Sequence, residues 1–136
     1  MLKLTKTLLD EIFSHARDQS PHECCGLIGG HDDGQASNLY RARNIARDPS
    51  VAYEAHPEDL FSAQRLMRAR GEQLLGIYHS HPRSTEPQPS STDVRLAYYP
   101  AAVYFIVGLG SSEPRLRAFH IFEQENRWEP AEFEII

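Results

Sequence analysis

The chain has 136 residues, 40% hydrophobic and 24% charged, a balance that fits one soluble domain with a core of its own. Fourteen Lys and Arg against 19 Asp and Glu leave a net charge of -5, which excludes a general nucleic-acid surface, since that needs clustered excess basic charge. The longest apolar run, 101–107, is far shorter than the roughly 20 residues of a membrane helix, the first six residues carry no apolar signal core, and the adjacent Cys24 and Cys25 offer no disulfide framework, so the expectation is a cytoplasmic protein with no membrane partner.

Taken in chain order, Leu4, Leu8, Leu9, Ile12, Phe13 and Ala16 recur at helical spacing and predict an amphipathic helix over 5–18, broken at Ser20-Pro21. Residues 24–30 read as a buried strand, Asp32-Asp33-Gly34 as a hairpin turn and 37–44 as its partner strand. Arg47 to Ser50 reads as loop. Pro57 with Glu58 and Asp59 opens a second helix that runs to Gly71. Residues 74–78 form a buried strand that delivers His79. A Pro- and Ser-rich loop follows over 82–89, then a helix over 91–99 stopped by Pro100. The strongest strand is 102–109, and 116–122 and 128–135 complete the sheet. Strands and helices so mixed predict an α/β fold, one domain over 1–136 with a mixed central sheet flanked by helices.

The chemistry gathers around His79-Ser80-His81-Pro82, Ser90 and Asp93. Residues i and i+2 of an extended segment share a face, so His79 and His81 can meet one ion while Ser80 points away. Asp93, in the first turn of the next helix, can return its carboxylate to the same point. Two imidazoles and a carboxylate suit Zn²⁺. Three strong ligands without a fourth leave a position for water, as catalytic rather than structural sites do. Ser90 and Asp93 also form a capping-box pair, which is compatible with a ligand at Asp93. Hydrolysis further needs a carboxylate outside the ligand set to carry a proton. The candidates are Glu23, Glu54, Glu58 and Glu86. Glu23 sits at the mouth of a rigid strand, Glu58 is accounted for by a helix start, and Glu86 falls in a mobile loop. His15, His22, His31, His56 and His120 read as surface or structural residues, and Cys24 and Cys25 as small apolar strand residues.

The joint pattern of Glu23, His79-Ser80-His81-Pro82 and Ser90-Ser91-Thr92-Asp93 resembles the JAMM (MPN-plus) zinc metalloproteases, and Pro21 to Gly30 looks like that family's first active-site strand. The likeness runs from about Leu4 to Phe122. It implies a JAMM/MPN-like, cytidine-deaminase-like fold. It further implies one Zn²⁺ held by His79, His81 and Asp93 with water as fourth ligand, Glu23 as general base and then acid, and Ser90 as donor to the tetrahedral oxyanion. Eight residues separate His81 from Ser90, one more than the family's usual interval, which keeps Ser91 open as the alternative donor. Only Val94 to Pro100 lies between Asp93 and the next strand, so the chain is similar to the compact prokaryotic branch. That likeness implies hydrolysis after the C-terminal Gly-Gly of a ubiquitin-like or sulfur-carrier protein, no nucleic-acid or membrane partner, and admits a homodimer. Three other readings compete: a non-catalytic MPN-type scaffold, a non-haem iron facial triad, and a zinc deaminase, for which Cys24-Cys25 lacks the Pro-Cys-x-x-Cys spacing.

Overall fold

Thr5 begins the first helix by accepting the Leu8 N–H on its hydroxyl, and Leu8, Ile12 and Ala16 then bury one face of α1 (Lys6–Gln19). The computed structural model, which describes residues 1–136, sets this helix against a six-stranded sheet. Its strands are β2 (Cys25–Gly30), β3 (Ala36–Ala42), β4 (Gln73–His81), β5 (Val103–Gly108), β6 (Arg115–Phe122) and β7 (Arg127–Pro130), in the order β3-β2-β4-β5-β6-β7. All neighbours are antiparallel except β4 and β5, which run parallel with His79 beside Ile106 and His81 beside Gly108.

The alternation along β4 divides the core. Tyr78 faces one side with Leu4, Ile12, Cys24, Phe105 and Val107, the layer covered by α1. Ile77 faces the other with Leu27, Met67, Tyr104, Ile106 and Phe119, the layer covered by α2 (Pro57–Ala69). His79 and His81 share the Ile77 face. Ser80 takes the opposite face, where its hydroxyl accepts the Cys24 N–H at 2.8 Å. Pro57 occupies the first turn of α2 as expected, and the cap is His56, whose Nδ1 accepts the Glu58 N–H at 3.1 Å.

Three expectations need correction. The helix read over 91–99 is only α3 (Ser91–Arg95). Past Leu96 the helical ladder lapses: the Ala97 and Tyr98 N–H groups reach back only to the Val94 and Leu96 carbonyls, and the Tyr99 N–H donates to the Tyr104 hydroxyl, 3.1 Å away. The stretch 128–135 is not one strand of the main sheet. Pro130, without an N–H, closes β7, and β8 (Phe133–Ile135) crosses to pair in parallel with β1 (Leu2–Leu4), a strand the sequence reading omitted. Phe133 packs edge-on against Phe105, with ring centroids 5.3 Å apart. Finally, the loop over 82–89 is anchored rather than mobile: Pro87 is wholly buried and the Ser84 carbonyl accepts the Gly110 N–H at 2.8 Å.

Candidate active site

β4 carries its apolar run straight into the site, so His79 is wholly buried and His81 stands at the rim. Across from them the capping box of α3 fixes Asp93. Ser90 Oγ accepts the Asp93 N–H at 3.0 Å, and the Ser90 N–H donates to Asp93 Oδ2 at 2.9 Å. The result is a triangle of atoms able to ligate a metal. His79 Nε2, His81 Nε2 and Asp93 Oδ2 lie 3.1 Å from one another on every side. Three donors bound to a tetrahedral zinc at about 2.0–2.1 Å would stand roughly 3.3 Å apart, so this donor set fits the ion without rearrangement.

Glu23, 4% exposed, closes the other side, with its carboxylate within 4.8 Å of the two histidine ligand atoms. Asp93 Oδ2 already touches both imidazoles, and the Glu23 carboxylate is also near enough to join them on an ion. The two carboxyls differ in their partners. Burial pushes Asp93 up, but the interaction with His79, the hydrogen bonds from both imidazoles and the Ser90 N–H outweigh it and hold Asp93 well below the usual carboxylate range. Glu23 Oε1 has no hydrogen-bond partner. Burial, only partly opposed by His81, raises this carboxyl to about 7. Burial likewise lowers His79, favouring the neutral imidazole that a metal ion requires. The thiols of Cys24 and Cys25 are free and buried, and burial pushes them up to about 11 and 12, so neither is a thiolate ligand at neutral pH.

The family of prokaryotic homologs of the JAB domain matches residues 5–122. The chain belongs to that family. Its relatives include the desampylase of Haloferax volcanii, 38% identical over 110 residues that cover 77% of this chain and 78% of that protein. The CysO-cysteine peptidase of Mycobacterium tuberculosis is 29% identical over 131 residues, 96% of this chain and 89% of its own. A solved structure from Desulfitobacterium hafniense superposes with a TM-score of 0.88 at 32% identity, covering 100% of this chain and 93% of that one. The JAB assignment agrees with the resemblance drawn from the motif and with the mixed α/β sheet. The chain is an enzyme of the peptidase class, and the scaffold reading, which would fit a site missing some of its ligands, falls away.

Two residues of this JAB site escaped the sequence reading. Asn44, just past β3, uses its whole side-chain amide: Nδ2 donates to the carbonyls of Glu23 and Ala52 at 3.0 Å each, and Oδ1 accepts the N–H groups of Ala46 (2.9 Å) and Glu54 (3.0 Å). The Glu23 N–H in turn donates to the Pro49 carbonyl at 2.7 Å, so the 44–54 loop grips Glu23 from both sides. Tyr53, on the same loop, stacks on His79 with ring centroids 4.4 Å apart and planes 26° from parallel. That contact matters because His79 Nδ1 has no hydrogen-bond partner. The ring orientation rests on stacking instead of the hydrogen bond that usually fixes a ligating imidazole. Asn44 gave no signal, since the sequence placed it at the end of a strand over 37–44 and its contact with Glu23 spans 21 positions. Beyond Tyr53 an apolar cavity of about 230 Å³ opens, lined by Cys25, Leu27, Ile77, Leu96 and Tyr99 among others, on the same sheet face as His79. Of the other glutamates considered, Glu54 is exposed at the mouth of that cavity, Glu58 faces Arg43, and Glu86 pairs with Arg115 away from the triangle. No helix is long and apolar enough to cross a membrane.

Proposed function

We propose that this chain is a zinc-dependent peptidase that hydrolyses the amide or isopeptide-type bond following the C-terminal Gly-Gly of a ubiquitin-like or sulfur-carrier protein. The observation that carries the reading is the 3.1 Å triangle of His79, His81 and Asp93 beside a buried, unpartnered Glu23 carboxylate. Family membership and the relatives named desampylase and CysO-cysteine peptidase support the substrate class. Zinc, when bound, supplies a water of near-neutral pKa and polarises the scissile carbonyl.

Every other step belongs to the protein. Glu23 takes the proton of the attacking water on Oε1, the oxygen with no competing donor, and then returns it to the departing amine. Ser90 donates its hydroxyl proton to the oxyanion as the carbonyl becomes tetrahedral. Its Oγ is already oriented by the Asp93 N–H, and its backbone N–H donates to the Asp93 carboxylate; these two bonds tie Ser90 to the triangle and make it the better donor of the two. Tyr53 and Asn44 keep His79 and Glu23 in register. A Gly-Gly tail is narrow enough to reach a histidine that is wholly buried, and the apolar cavity beside Tyr53 receives a side chain carried upstream of the two glycines.

The experiment compares wild type with Glu23→Gln. Metal content is measured first, and each protein is then offered a sulfur-carrier protein extended past its Gly-Gly, with cleavage read by mass spectrometry. One zinc per chain in both and cleavage by wild type alone is the expected result. Iron in place of zinc favours the facial-triad reading. Zinc in both with no cleavage by either rejects the substrate class.

A further inference from the structure

Segment 82–90 joins the two halves of the ligand set. It leaves β4 at His81 and arrives at Ser90, whose N–H donates to Asp93 Oδ2. Eight residues separate those two points, a length of chain that would let Asp93 drift unless something outside the segment fixed its course.

The fixing comes from the far side of the sheet's parallel pair. Gly108 lies beside His81 in the register of β4 and β5. A Cβ at Gly108 would stand 2.6 Å from the Ser84 carbonyl oxygen and 2.8 Å from Pro87 Cδ, and one at Gly110 would stand 2.5 Å from the Arg83 carbonyl oxygen. Segment 82–90 therefore lies directly on glycine backbone, where any side chain would lift it. The Arg115 guanidinium pairs with the Glu86 carboxylate of the segment, and two hydrogen bonds hold its backbone down. The Ser84 carbonyl accepts the Gly110 N–H at 2.8 Å, and the Pro87 carbonyl accepts from Arg117 Nη1 at 3.1 Å. Pro87 itself is wholly buried, a plug between these two points. None of Gly108, Gly110 and Arg117 contributes an atom to the ligand triangle.

We propose that Gly108, Gly110 and Arg117 are positioning residues that set the metal affinity of the site by fixing the path from His81 to Asp93. The inference rests on the reading of His79, His81 and Asp93 as a metal site. Two ligands ride on a rigid strand and the third arrives by a loop, so the ordering of that loop decides how much conformational freedom is lost when the ion binds. A preordered loop loses little; a released one loses more, and affinity falls.

The test is a Co²⁺ titration of chelator-stripped protein, followed by visible absorption, with thermal melts of the same stripped samples. No substrate is needed. Arg117→Ala and Gly108→Ala are expected to stay folded and to bind Co²⁺ about 10–100-fold more weakly, in the range seen when outer contacts of metal ligands are lost. Arg117→Lys, which keeps a donor for the Pro87 carbonyl, recovers part of that loss. Because Arg117 also lies over the Phe119 ring at 5.1 Å, a lower melting temperature alone is no support; the metal affinity is the readout. A folded Arg117→Ala with wild-type Co²⁺ affinity overturns the proposal, and it decides the question even where Gly108→Ala does not fold. Wild type that takes up no Co²⁺ overturns the metal reading and this inference with it, a result recognisable before any variant is made.

Discussion

Two arms reach the histidine pair, and they are built differently. The Glu23 arm is strand and hydrogen-bonded loop: Asn44 and the Pro49 carbonyl fix its backbone while its carboxylate oxygen Oε1 is left without a donor. The Asp93 arm is a loop and a single turn of helix, and here the carboxylate itself is tied, by two imidazoles and the Ser90 N–H. Both carboxyls are buried, at 4% and 7% exposure, so burial alone cannot explain why they are pushed in opposite directions. The count of donors does. A buried carboxylate with three donors is held ionised and suits a ligand, and one with a bare oxygen is held near 7 and suits a proton carrier.

The sharpest way to break this comparison is to remove the ligand arm. Asp93→Ala is expected to lose metal binding by more than the roughly 100-fold typical of outer contacts, and with it all turnover; isothermal titration with Zn²⁺ reads the first and the carrier assay the second. Glu23→Gln attacks the other arm. It should keep wild-type metal affinity and lower turnover by about 10²–10⁴, the usual contribution of a positioned acid–base group.

The two arms should also separate by pH in metal-free protein. Glu23 sits near 7 when folded against 4.5 for the free group, so between those values the folded chain holds the extra proton. Its contribution to stability is present below 4.5 and is lost as pH rises through about 7, on the order of 2–3 kcal/mol. Asp93 has the opposite sign: its contribution is present above 3.8 and is lost as pH falls below that value. In denaturant melts across pH 3–8 the Glu23 slope should emerge as the difference between wild type and Glu23→Gln, because buried His15, lowered to about 4, and His79, also lowered, add slopes of opposite sign in the same window.

Smaller effects sharpen the picture. Asn44→Ala strands the carbonyls and N–H groups that the amide served, and should cost about 1–3 kcal/mol in a denaturant melt. It should slow turnover about tenfold with metal content unchanged, since it loosens Glu23 and not the triangle. Tyr53→Phe keeps the stacked ring and should leave Zn²⁺ affinity within about twofold of wild type; a larger drop would mean that the hydroxyl and not the ring orients His79.

The ligand arm was the more legible of the two because its information is local. His79 and His81 announce a shared strand face by their spacing, and Ser90 and Asp93 announce a helix start by theirs. Glu23 was legible only as a charge in front of an apolar strand. Asn44 and Tyr53 were not legible at all, since what they do depends on contacts across the sheet. The same reason explains the missed β1, which pairs with a strand some 130 positions away, and the overextended α3, beyond whose end the Tyr99 N–H is captured by a hydroxyl from the next strand. Composition around 82–89 suggested mobility because Pro and Ser are loop residues; the glycines that anchor it belong to a different part of the chain.

The parallel pairing of β4 with β5 has one more consequence. Hairpin turns can join antiparallel neighbours, but a parallel pair needs a crossover of about a dozen residues or more. Here that crossover runs from His81 to Val103 and carries Ser90 and Asp93. The topology thus makes obligatory a long excursion at the very end of the strand that bears the histidines. A longer or differently decorated stretch after α3 would change what the site accepts while every hydrogen bond of the sheet ladder stays as it is.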